Sequence, residues 1–221
     1  MSEYDGVLLD WSGTLVLDPE PADRLRWALR RLGRTPDDGT VLGLLHRLQR
    51  AALAPQVAEA LRDHACDADR HRFGELLWYD RAGLDADLAV ELYGFDGDPM
   101  NRPLFPDVLD VLTRLRAAGL RTVVVSDTHL DLRPLLGFHG AGDLIDGYVL
   151  SNEHGRQKPD PDLFWAALRE LRARPERTLM VGDRPNKDGG AAAIGITTLI
   201  LPHRLAHRNR PRLTPLLTLT R

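Results

Sequence analysis

The chain has 221 residues, 43% hydrophobic and 28% charged, with a formal net charge of −3 at pH 7. That length suits one large domain, or a core carrying a smaller inserted module. The near-balanced charge gives no reason to expect nucleic acid or an acidic membrane surface as partner. Cys66 is the only cysteine, so an internal disulfide is excluded and a reducing cytosol fits. No basic segment precedes an apolar one at the start, and no apolar run approaches the roughly 20 residues of a membrane span. A cytoplasmic protein is expected, monomeric or homodimeric.

Residues 5–10 read as a first strand, because the run Val7-Leu8-Leu9 leads straight into Asp10 and a Gly13-Thr14 turn. From 19 to 98 the pattern changes to helices. Leu25, Ala28, Leu29 and Leu32 share one helical face, and Gly33 closes it. Val41 to Leu53 repeats the pattern until Pro55, and further helical pieces follow near 56–65, 69–82 and 85–93. Residues 94–105, rich in Gly, Pro, Asp and Asn, read as a linker.

Beyond Pro106, helix and strand alternate. Val108, Leu109, Leu112 and Leu115 form a helix face ending at Gly119, and Thr122-Val123-Val124-Val125 is a β-branched strand ending in Ser126. A helix near 130–137, a strand near 145–150 and a helix over 162–173 come next. Leu179-Met180-Val181-Gly182-Asp183 is a strand ending in aspartate, followed by a helix over 186–194 and a strand over 196–201. Such alternation predicts an α/β fold with a doubly wound parallel sheet. The expected organisation is an α/β core, 1–17 and 103–221, with an all-helical cap domain, 18–102, inserted after the first strand. The basic tail (Arg204, Arg208, Arg210, Arg212, Arg221) reads as a solvated terminus. His203 and His207 stand four apart with no acidic or thiol partner nearby, which makes a poor metal pair.

In a parallel sheet the carboxyl ends of the strands share one edge, where ligands bind. Asp10, Ser126 and Asp183 fall at such ends, Lys158 precedes a helix, and Asp188 follows five residues after Asp183. Three carboxylates, a hydroxyl and a lysine form a hard-oxygen site suited to Mg²⁺ and a phosphate together. A carboxylate there can attack phosphorus and divide one displacement into two. Trp11 faces the same crevice or packs beside it.

These residues, in order, resemble the motifs of the haloacid dehalogenase superfamily: Asp10-Trp11-Ser12-Gly13-Thr14, Ser126, Lys158-Pro159, and Gly182-Asp183 with Asp188. The resemblance covers nearly the whole chain and includes a helical insert like the superfamily's alpha-helical cap. It implies a Rossmann-like core and a Mg²⁺-dependent hydrolase of a small phosphorylated metabolite. Asp10 would be the nucleophile, with Ser126 and Lys158 acting on phosphate. Asp10, Asp183, Asp188 and the backbone carbonyl of Ser12 would hold Mg²⁺, and Trp11 and Asp127 would border the substrate.

One departure bears on mechanism. Phosphatases of this superfamily carry a second aspartate two residues after the nucleophile, and here that position is Ser12. A hydroxyl is a poor general acid or base, and losing such a group costs about 10²–10⁴-fold in rate. The leaving group could need little protonation, or the acid could come from Asp127, His129, the cap or the substrate. Alternatives are a weakly active phosphate-binding or regulatory relative, or cleavage of a C–P or C–halogen bond. A Schiff-base C–P hydrolase would need a cap lysine, yet Lys158 and Lys187 are the only lysines in the chain. The Gly182-Asp183 pair speaks for a metal, against a dehalogenase. Arg24, Arg26, Arg30 and Arg31 form a charged cap face from which one could reach an anionic substrate.

Overall fold

A computed structural model describes residues 3–62, 64–202 and 210–220. Five strands form one sheet: β1 (Gly6–Leu9), β2 (Arg121–Ser126), β3 (Gly147–Leu150), β4 (Thr178–Gly182) and β5 (Thr197–Ile200). Their order is β3-β2-β1-β4-β5 and every pairing is parallel. Leu9, the last residue of β1, pairs with Val124 on one side and Val181 on the other, so the carboxyl ends of β1, β2 and β4 lie at the same edge of the sheet. The strand order reverses beside β1, and the crevice at such a point is the ligand position of a doubly wound sheet.

Both faces of the sheet are covered, which is why its strands read as continuous apolar runs. Val7, Leu9, Val124, Leu179 and Val181 pack on one side with α6 (Val108–Ala117) and Leu213 and Leu216 of the C-terminal segment. Leu8, Val123, Val125 and Met180 pack on the other with Phe164 and Leu168 of α9 (Pro161–Leu171). Leu8 is fully buried, so Leu8→Ala would cost about 2–5 kcal/mol.

Between β1 and α6 the described residues hold no strand beyond isolated bridges of Val16 with Ser12 and Leu104, and the α-helices are α1 (Pro21–Arg31), α2 (Asp38–Ala52), α3 (Pro55–Ala60), α4 (Ala68–Arg81) and α5 (Ala86–Gly94). Pro21 starts α1, and the Asp37, Asp67 and Asp85 side chains cap α2, α4 and α5. These helices enclose a separate core of Leu25, Leu29, Val41, Leu44, Leu48, Tyr79, Leu88 and Leu92. The two passes of chain joining it to the sheet are bonded together, Leu17 N to Pro103 O at 3.0 Å and Phe105 N to Leu15 O at 3.0 Å.

After β2 come α7 (Arg133–Phe138) and α8 (Ser151–His154), and α10 (Leu216–Leu219) closes the described chain. Two elements differ from the sequence expectation. The 94–105 linker holds two 3₁₀ turns, Phe95–Gly97 and Pro99–Asn101. The expected helix over 186–194 is a 3₁₀ helix, Asp188–Ile194, in which Gly190 lies too close to Pro159 to carry a side chain. No helix among the described residues is long and apolar enough to cross a membrane. His203 and His207 lie outside the described residues.

Candidate active site

The run into Asp10 is a strand because Val7, Leu8 and Leu9 are all buried, and the loop after it folds back over one carbonyl. Trp11 O accepts the amides of Leu15 at 2.9 Å and Val16 at 3.1 Å. Gly13 makes the reversal with φ of 76°, and a Cβ there would collide with the Asp183 carboxylate. The absence of that Cβ brings the first loop against the end of β4. Gly182 does the same for Asp188, whose carboxylate occupies the space a side chain at 182 would fill.

Lys158 is the hub. Its buried Nζ donates to Asp10 Oδ1 at 2.5 Å, Asp188 Oδ1 at 2.6 Å and Val125 O at 3.1 Å, using all three protons. The Lys158–Pro159 peptide is cis. Thr14 Oγ1 donates to Asp10 Oδ2 at 3.3 Å, and the Arg184 amide to Asp188 Oδ2 at 2.9 Å. Burial pushes the Asp10 carboxyl up to about 6 against the attraction of Lys158. Burial also works against the Lys158 charge, but Asp10 and Asp188 outweigh it and raise the ammonium above its ordinary value.

One carboxylate oxygen from each of Asp10, Asp183 and Asp188 lies within 4.8 Å of the others. Three buried carboxylates outnumber the two cations against them, Lys158 and Arg212, whose Nη2 lies 3.9 Å from Asp183 Oδ2, and such an all-oxygen set suits a hard divalent cation. The residues present therefore fit Mg²⁺ in donor type.

Asp10 and Lys158 open into a cavity of about 370 Å³, a size that suits a small molecule, while Asp183 and Asp188 lie behind its lining. Asp10, Trp11, Ser12, Ser126, Asp127 and Lys158 all line it, as does Lys187, so both lysines of the chain meet here. Trp11 is only 5% exposed and packs in the sheet core while bordering the cavity. Asp127 is tied down, its oxygens accepting the Lys158 amide at 2.8 Å and Lys187 Nζ at 2.8 Å. His129 also lines the cavity, and burial pushes its imidazole below the ordinary value.

Several residues at the site carry no signal in the sequence. Arg102, placed at the end of a linker by its neighbours, is 8% exposed and donates to Ser12 Oγ at 3.0 Å, Asp18 Oδ1 at 3.1 Å and Asp96 Oδ1 at 2.5 Å. Burial raises the Asp96 carboxyl, but Arg102 and Arg24 outweigh it and hold it low. Of the four cap arginines singled out, Arg24 lines the cavity paired with Asp96, while Arg26 and Arg31 pair with Asp38 and Glu91. Arg212, expected in a solvated tail, is buried under the first loop instead. Its Nε donates to Gly13 O at 2.6 Å, and its amide bonds the Asp107 carboxylate at 2.7 Å. A short apolar stretch, Leu213 and Leu216, docks the segment and carries Arg212 inward.

Comparisons with known proteins bear on the family and the fold. A haloacid dehalogenase-like hydrolase family model matches residues 4–195. A glyceraldehyde 3-phosphate phosphatase of Methanopyrus kandleri is 30% identical over 167 residues, 71% of this chain and 69% of the relative. Several further curated relatives are matched over half of their length or less. Among solved structures, a HAD phosphatase from Thermococcus onnurineus superposes with TM-score 0.58 at 22% identity, covering 89% of this chain and 86% of that one. An L-2-haloacid dehalogenase from Xanthobacter autotrophicus gives 0.64 at 21%, covering 90% and 77%. At those identities the structures speak for the fold alone. By the family match and the sequence relatives, the chain belongs to the haloacid dehalogenase-like hydrolases.

Proposed function

We propose that this protein is a phosphatase acting on a small phosphorylated metabolite through an aspartyl-phosphate on Asp10. The observation that carries the proposal is the Lys158 ammonium held between Asp10 and Asp188, with Asp183 in the same carboxylate cluster, at the floor of a small-molecule cavity. Residues 18–102 act as a cap domain over a core of 1–17 and 103–221.

In this mechanism Asp10 attacks phosphorus, the P–O bond to the leaving group breaks, and water then cleaves the acyl-phosphate to return Asp10 and orthophosphate. Lys158 orients the nucleophile and favours its charged form. Ser126, buried at the end of β2, donates to a phosphate oxygen. Asp10, Asp183, Asp188 and the Ser12 carbonyl would hold Mg²⁺, which when bound neutralises phosphate and carboxylate charge.

Proton transfer to the leaving oxygen is the altered step. Ser12 carries no acid, and its hydroxyl is engaged by Arg102. Substrates whose leaving groups depart as stable anions are therefore favoured, such as aryl phosphates and anhydrides. A lasting aspartyl-phosphate is the second reading, and the same absence of an acid-base group at Ser12 favours it.

Hydrolysis of an activated aryl phosphate and of a simple alkyl phosphate, each with Mg²⁺ and with EDTA, tests the proposal. Metal-dependent turnover of the aryl ester with little on the alkyl ester is expected. Equal rates on both would mean that another group supplies the proton. No turnover of either, with ³²P retained on the protein, would favour the second reading.

A further inference from the structure

The helical insert contributes a second constellation to the cavity, distinct from the carboxylates around Lys158. His64 sits in the 3₁₀ turn His64–Cys66, and His71 and Glu75 stand four apart on α4. Residues at that spacing project from one helix face. Ser151 Oγ, at the start of α8, donates to Ala65 O at 2.7 Å and pins the turn in place. All three side chains line the cavity, and one ligand-capable atom of each lies within 4.8 Å of the others.

We propose that His64, His71 and Glu75 form a binding site for a borderline transition-metal ion of the Zn²⁺ type. Two imidazoles and a carboxylate match the preferences of such ions, whereas Mg²⁺ takes oxygen donors in an octahedral shell.

Three features of the geometry support the assignment. His64 Nε2 and Glu75 Oε1 are 3.6 Å apart. Two ligands at about 2.0–2.2 Å from one tetrahedral ion stand about 3.3–3.6 Å from each other, so the pair is spaced as co-ligands. The other Glu75 oxygen, Oε2, accepts the Tyr79 hydroxyl one helical turn further on, which leaves Oε1 directed at His64. Such an outer partner orients a ligand and sharpens affinity. His71 has a buried ring nitrogen, Nδ1, with no hydrogen-bond partner, an exception that a bound ion explains.

Ring contacts surround His71. It lies between His64 and His129, stacked at centroid separations of 4.6 and 3.4 Å with interplanar angles of 8° and 9°. Parallel rings cannot both aim an in-plane lone pair at one ion, so ligation requires the His71 ring to turn about its side-chain torsions. Three protein ligands leave a tetrahedral ion one further position, for water or for an anionic oxygen from the shared cavity. The assignment stands on the insert's own residues and does not rest on the role proposed for Asp10.

The test is Zn²⁺ binding to the 221-residue chain, stripped of metal and then supplied with excess Mg²⁺, read by calorimetry and by the visible spectrum of a Co²⁺ substitute. One equivalent is expected to bind, with the intense absorption of four-coordinate Co²⁺, and Asp183→Asn should leave this unchanged. His71→Gln and Glu75→Gln should each weaken binding by more than about tenfold, and Tyr79→Phe by about 10–100-fold. A Zn²⁺-induced rise in melting temperature should accompany binding in the wild type and vanish in Glu75→Gln, which keeps the side chain's size. No binding in the presence of Mg²⁺ would overturn the proposal. So would binding that survives in folded His71→Gln and Glu75→Gln, or that is lost in Asp183→Asn.

Discussion

Arg102 and Ser12, 90 positions apart in sequence, meet where Arg102 Nη1 donates to Ser12 Oγ at 3.0 Å. The guanidinium therefore stands beside the position at which a general acid would be expected. An aspartate introduced there would pair with Arg102 and stay ionised. Ser12→Asp is expected to raise alkyl-phosphate turnover by less than about tenfold, short of the 10²–10⁴ of an effective acid. A full gain in kcat on the alkyl ester would show that Arg102 does not hold the carboxylate.

Asp10→Asn removes the proposed nucleophile while preserving shape. Hydrolysis of an aryl phosphate should fall to background, with no label retained on the protein. An unchanged rate would remove Asp10 from the mechanism.

Lys158→Met leaves two buried carboxylates without their cation. Breaking such a pairing costs about 3–5 kcal/mol, to be read from denaturant unfolding without metal. Mg²⁺ should restore part of that loss through binding to the native state. An unaltered unfolding midpoint would contradict the central place given to Lys158.

Burial pushes the Asp10 carboxyl of the folded chain up to about 6 from 3.8 for the unperturbed group. Between those values the folded chain holds more protons than the unfolded one. Asp10 therefore makes the metal-free protein less stable as pH rises from about 4 to about 6, and has no further effect above that range. Cation binding needs the carboxylate, so Mg²⁺ affinity should rise about tenfold from about pH 5 to about pH 7. Titrations with Mg²⁺ at the two pH values check this, and a flat affinity would count against Asp10 as a ligand.

Arg212→Gln removes the bond to Gly13 O beneath the loop that faces Asp183. Leaving that carbonyl unsatisfied should cost about 1–3 kcal/mol, and a loosened loop should weaken Mg²⁺ binding. Melting temperature and Mg²⁺ titration read the two effects separately. If neither moves, the Arg212 bond to Gly13 O does not hold the loop in place.

How much of this was legible in the chain depends on the kind of interaction. Val7-Leu8-Leu9, Val123-Val124-Val125 and Leu179-Met180-Val181 announce buried strands because a sheet covered on both faces demands continuous apolar runs. Once those strands are parallel, topology alone brings Asp10, Ser126 and Asp183 to one edge. Lys158 could be grouped with them through the order of motifs that resembles the haloacid dehalogenase superfamily.

The rest was decided by tertiary structure. Arg102 reaches Ser12 and Asp96, Arg212 reaches Gly13 across 199 positions, and His71 stacks on His129. Each is a polar or aromatic contact whose partner lies on another element, and no local periodicity marks it. Apolar spacing records which face of an element is buried, because burial acts on every residue of that face. A single long-range hydrogen bond or ring stack leaves no such repeated trace, so it becomes visible only when the elements are packed together.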